Sequence, residues 1–155
     1  MSRFRMVRRF LGLGRDEQFA VARSTALLLT ARVALRTLPF RRVLRFVGQA
    51  PAGPTPPISP SDDPSVQRTL WAVEVVGNRL FPRNPCLTQA VVAQRILLRR
   101  GWPAELRIGV RKGETSALEA HAWVESGGKV VMGSRGFPEQ YIPLPTIGSS
   151  PPPTS

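Results

Sequence analysis

An α+β fold is predicted by three features of the chain. Helical apolar spacing dominates before Trp102, two-residue alternation takes over after Pro103, and Gly127-Gly128 joins two alternating runs. At 155 residues and 42% hydrophobic content there is material for one core and not for two full enzyme domains.

The opening MSRFRMVRRFLGLGRDEQF is basic and lacks the continuous apolar run and small-residue cleavage site of a secretory signal. In DEQFAVARSTALLLTARVALRTLPF, the positions Phe19, Ala22, Ala26, Leu29, Val33 and the group from Leu35 to Leu38 recur every three or four residues. That spacing predicts a helix over about 16–37, stopped by Pro39. Arg32 and Arg36 interrupt its apolar stretch, which falls short of the roughly 20 residues a bilayer span needs. A short basic helix from Phe40 to Val47 follows and ends at Gly48.

Residues 49–65, QAPAGPTPPISPSDDPS, form a Pro-rich linker of polyproline character between a basic helical region, 1–48, and the core, 66–145. Asp63 has the position of an N-cap and Pro64 that of a first helical residue. Val66, Leu70, Val73 and Leu80 then point a helix at the core, with Gly77 marking close packing or an early end. The next helix opens at Asn84, Pro85 and Cys86, with Asn84 as cap, and runs to Gly101 with Ala90, Val91, Ile96, Leu97 and Leu98 inward. Strands are predicted at 104–110, 118–126 and 129–133, the last two forming a hairpin. Phe137, Tyr141, Ile142 and Leu144 are candidate anchors of the tail, and 146–155 reads as disordered.

The net charge is +12, and residues 1–50 carry eleven Arg against Asp16 and Glu17. Arg23, Arg32, Arg36, Arg41, Arg42 and Arg45 are either a solubilising surface or a site that attracts an acidic peptide, a partner protein, a membrane surface or nucleic acid. Zinc-finger spacing, an RNP-like strand and a recognition helix are all missing, which argues against nucleic acid. One cysteine permits no internal disulfide, and no metal site or cofactor motif is written in the chain, so a reducing compartment, the cytoplasm, fits best.

Cys86 and His121 are the only cysteine and the only histidine. A thiolate is favoured in the first turn of a helix and beside an imidazole, and a mid-strand histidine is held steadily. Strand alternation puts Glu119, His121, Trp123 and Glu125 on one side and Ala120, Ala122 and Val124 on the other, so His121 is expected to face the Cys86 helix or a cleft beside it. The plainer alternative is an inert buried cysteine and a surface histidine.

The pattern CLTQAVVAQRILLRRGWPAELRIGV, residues 86–110, followed by AHAWVESGGKVVMG, residues 120–133, resembles the transglutaminase-like cysteine proteases that act as B2 leader peptidases in lasso peptide biosynthesis. The resemblance covers most of residues 16–145 and implies a papain/transglutaminase-like core, Cys86 as nucleophile, His121 as base and an acidic residue orienting the imidazole. It further implies a lasso precursor peptide, a small leader-recognition B1 protein and an ATP-dependent lasso cyclase as partners.

The chain departs from that family where the third residue belongs, since KVVMGSRGFPEQ holds Gly133 and Ser134 and no Asp. Glu125, four residues along the strand at roughly 13 Å, is too far, and Glu119 is doubtful. Ser134 and Glu139 are the candidates, with a backbone carbonyl as the alternative. The backbone N–H of Cys86 is the expected oxyanion donor, with Asn78 or Asn84 as a second, and Trp123 either lines the cleft or closes the core edge. A catalytic pair requires the sulfur within about 4 Å of a ring nitrogen. Two rival readings are a non-catalytic binding or scaffold protein and a true acyltransferase.

Overall fold

The computed structural model describes residues 14–48, 54, 56–113, 117–134 and 138–145. The opening basic segment, Phe137 and the tail from 146 lie outside these residues.

Helix α1 (Arg15–Thr37) begins where Glu17 Oε2 accepts from the Gly14 N–H at 3.2 Å, and Asp16 and Glu17 in its first turn complement the helix dipole. Of the apolar positions whose spacing identifies α1, only Leu35 and Leu38 lie on the face it buries. Ser24 and Leu28 are buried and Leu27, Ala31, Ala34, Leu35 and Leu38 pack against the core, whereas Phe19, Ala22, Ala26, Leu29 and Val33 are exposed. Both stripes have helical period, so periodicity could not choose between them.

After Pro39, α2 (Phe40–Val47) buries Val43 and Val47 and stops at Gly48, whose φ of +99° suits glycine. The linker's end is anchored, with Pro60 buried and the Trp102 Nε1–H donating to the Ile58 carbonyl at 3.0 Å. Asp63 caps α3 (Pro64–Leu80) by accepting from the Ser65 and Val66 N–H groups at 2.8 and 3.3 Å. Val66, Leu70 and Val73 are buried as expected, but Leu80, in the last turn, is exposed.

Helix α4 (Cys86–Arg99) carries most of the core. Ala90, Val91, Val92, Ala93, Ile96, Leu97 and Leu98 are all buried, and Gly101 just beyond the end has φ +90°. Its start differs from expectation, because Pro85 takes the N-cap place, no side chain caps the helix and Asn84 is an exposed turn residue. Cys86 is therefore the first helical residue and not the second.

The chain then forms β1 (Glu105–Lys112), β2 (Leu118–Ser126) and β3 (Lys129–Met132). A 3-10 turn (Pro138–Gln140) leads to β4 (Ile142–Pro143), a strand with no signal in the sequence because it is two residues long and holds a proline. The sheet is antiparallel in the order β3-β2-β1-β4. Gly127 and Gly128 both have positive φ, as the two-residue hairpin requires. Leu106, Ala122, Val124 and Met132 join the α4 residues in one core cluster, so the helices cover one sheet face. No described helix is long and apolar enough to cross a membrane.

Candidate active site

Cys86 is a free, half-buried thiol packed against the core at the start of α4. Gln89, one turn on, fixes that start against α3: its Nε2 donates to the Glu74 carbonyl at 2.9 Å and to Asn78 Oδ1 at 3.1 Å. Room for Gln89 comes from Gly77, where an added Cβ would stand 2.5 Å from that nitrogen. Gly77 thus marks close packing and not a helix end. Asn78, considered as an oxyanion donor, accepts from Gln89 through Oδ1, a bond that engages its oxygen and not its Nδ2 donor, and Asn84 neither caps α4 nor leaves the surface. With no side-chain cap, the first N–H groups of α4 keep the positive end of the helix at the thiol.

His121 is half-buried in β2, opposite Gly109 of β1. Its Nε2 lies 2.8 Å from the Gly133 carbonyl oxygen. A carbonyl only accepts, so Nε2 carries the proton and, in the neutral ring, Nδ1 keeps a lone pair. Gly133 can present that oxygen because it has φ +88° and because a Cβ there would meet the Ala122 carbonyl oxygen and Trp123 Cβ at 2.9 Å. The ring stacks on Trp123 at 6.1 Å between centroids and tilts against Tyr141 at 5.3 Å.

The orienting contact therefore belongs to Gly133. Ser134 and Glu139 are exposed and form no bond to the ring, which corrects the expectation for both. The reason is backbone geometry: the positive φ of Gly133 turns its own carbonyl to the ring one residue before Ser134. Glu125 is occupied elsewhere, accepting from Trp123 Nε1 at 2.8 Å and pairing with Arg107 at 3.4 Å. Trp123 is buried and packs over Gly109, whose missing side chain leaves space for the indole. Glu119 pairs with Arg111 at 2.8 Å.

Cys86 and His121 approach the same end of the sheet. The fourteen residues of α4 rise about 21 Å, and His121 sits opposite the fifth residue of β1, about 14 Å along a strand that runs back from the helix's far end. Ala122 and Val124 turn to α4, while His121 shares the other face with Gly109, Trp123 and Tyr141, and no Sγ–imidazole hydrogen bond exists among the described residues. Strand alternation thus gives the core side of β2 to Ala122 and Val124 and sets His121 beside Trp123 and Tyr141.

Among the arginines, Arg23, Arg36, Arg41, Arg42 and Arg45 are exposed, whereas Arg32 is half-buried with its guanidinium 5.0 Å from the Phe81 ring centre. No three His, Cys, Asp or Glu side chains gather into a metal-binding group among the described residues.

Residues 25–146 match the transglutaminase-like superfamily, a span running from within α1 through β4. The chain belongs to this superfamily. No curated protein and no solved structure matches it. A transglutaminase-like α+β core of helices on a small antiparallel sheet accounts for the architecture, and this membership fits a cysteine peptidase or acyltransferase. Sequence reasoning missed Gln89 in this transglutaminase-like site, and it offered a backbone carbonyl as the alternative partner of His121, as found, without assigning it to Gly133. A glutamine in the apolar face of α4 and a glycine ending β3 were the available signals.

Proposed function

We propose that this transglutaminase-like chain is a cysteine peptidase that removes the leader from a ribosomally made lasso precursor peptide. The observation carrying the proposal is the His121–Gly133 bond, which leaves Nδ1 as a base in a chain whose only thiol sits at an uncapped helix start. His121 Nδ1 takes the Cys86 proton, and the thiolate attacks the leader–core carbonyl. The N–H groups at the start of α4 stabilise the oxyanion. The imidazolium then protonates the departing amine of the core, and His121 activates a water that hydrolyses the thioester and frees Cys86. The precursor, a B1 recognition protein and an ATP-dependent cyclase are the partners proposed, on the strength of the resemblance.

A second reading, in which the domain binds the precursor without cutting it, is favoured by the absence of a Sγ–imidazole hydrogen bond among the described residues. Incubating the purified protein with precursor and recognition protein, followed by mass spectrometry, separates the two. Leader release lost in Cys86→Ala supports the peptidase. Precursor binding with no release by the wild-type protein supports the second reading.

A further inference from the structure

We infer that the outer face of α1 is a docking seam for an acidic amphipathic helix of a partner protein. Phe19, Leu29 and Val33 are 70%, 48% and 60% exposed, with Ala22 and Ala26 exposed between them. Their spacing is three, four, three, four, the a/d pattern of a coiled-coil seam, over about 21 Å of helix. At 100° per residue this stripe lies roughly opposite Ser24, Leu28, Ala31 and Leu35, which face the core, so it points away from the core that the described residues form.

The charges around the seam choose its occupant. Arg15 and Arg36 continue the a/d spacing at its two ends, and Arg23 flanks it. Arg23 also adds to a positive neighbourhood: burial first, and the charge of Arg23 second, pull the Arg100 guanidinium below its ordinary value. The acids of the helix are engaged elsewhere, Asp16 with Arg68 at 3.9 Å and Glu17 with the Gly14 N–H. A second copy of this chain would set arginine against arginine, whereas a helix with Glu or Asp beside its own apolar seam would pair with them. A two-in-seven stripe with alanines at its centre admits another helix closely. A lipid-seeking helix needs a broader bulky face than one bordered here by Arg23 and Thr30. The inference stands on α1 and does not depend on chemistry at Cys86.

The test uses the full chain and a labelled synthetic peptide of about three heptads with Leu at a and d and Glu at e and g, read by fluorescence anisotropy. The expected result is saturable binding that weakens as salt rises. Leu29→Ser with Val33→Ser should weaken it at least about tenfold, since two large apolar contacts are lost at exposed sites. Arg23→Glu with Arg36→Glu should transfer the preference to the same peptide carrying Lys in place of Glu. Circular dichroism checks that each variant is folded. The inference is overturned if the acidic peptide does not saturate, if acidic and basic peptides bind the wild-type chain equally, or if the seam variants bind as tightly as wild type. It is overturned equally if the stripe instead drives binding to phosphatidylglycerol vesicles or self-association in sedimentation.

Discussion

Gly77→Ala should destabilise the protein, although alanine in place of a helical glycine ordinarily stabilises by about 1 kcal/mol. The new Cβ would stand 2.5 Å from Gln89 Nε2, 2.6 Å from Cγ and 2.9 Å from Cδ. The amide end could swing aside, but Cγ is tied to the backbone of α4 and Gln89 is buried. Moving it breaks the bonds to the Glu74 carbonyl and Asn78 Oδ1, worth about 0.5–1.5 kcal/mol each. Leaving Gln89 in place overpacks the α3–α4 contact at a cost of about 1–3 kcal/mol. Set against the propensity gain of about 1 kcal/mol, the net loss should be about 0–2 kcal/mol, read as a lower urea midpoint at unchanged m value. In a Gln89→Ala background the obstacle is gone, and the same substitution should stabilise by up to about 1 kcal/mol, the reversal a double-mutant cycle detects. A Gly77→Ala protein that is more stable than wild type, or one equally destabilised in the Gln89→Ala background, would refute the clasp between α3 and α4. Gln89 lies one turn from Cys86, so loss of the clasp should also change the rate at which iodoacetamide alkylates the thiol.

Cys86→Ala should abolish leader release while precursor binding persists, because no other thiol can replace it, and His121→Ala should lower turnover by several orders of magnitude; both are read by mass spectrometry. Gly133→Ala should lower both stability and turnover, since φ +88° and the 2.9 Å contacts displace the carbonyl that holds His121, while Ser134→Ala, Glu139→Ala and Glu125→Ala should stay near wild-type rates. A large loss in Ser134→Ala or Glu139→Ala would move the orienting role away from Gly133. The Ser65 side chain first, then the Ser65 and Val66 N–H groups and the charge of Arg100, hold the Asp63 carboxyl below its ordinary value against the opposing effect of desolvation. A carboxyl lowered on folding stabilises above its unfolded-state pKa and loses that contribution as pH falls through the folded value. Asp63→Asn should therefore flatten the acid limb of a urea-midpoint profile, and an acid limb identical to wild type would contradict the cap's charge role.

The sequence by itself determined the elements and their order. Proline and glycine stops placed α2 and α4, the capping Asp63-Pro64 placed the start of α3, and two-residue alternation with Gly127-Gly128 placed the β2–β3 hairpin, because all of these signals are local to a few residues. It also singled out Cys86 and His121 by chemistry. Tertiary structure alone decided which apolar side of α1 is buried, since Phe19–Val33 and Ser24–Leu35 carry the same period and only contact with α3 and α4 distinguishes them. The same holds for the partner of His121, because a backbone carbonyl has no side-chain letter and its direction depends on the φ of Gly133. The strand β4 and the clasp of Gln89 on Gly77 were equally hidden, for both arise from pairings between segments distant along the chain, and only packing brings those together.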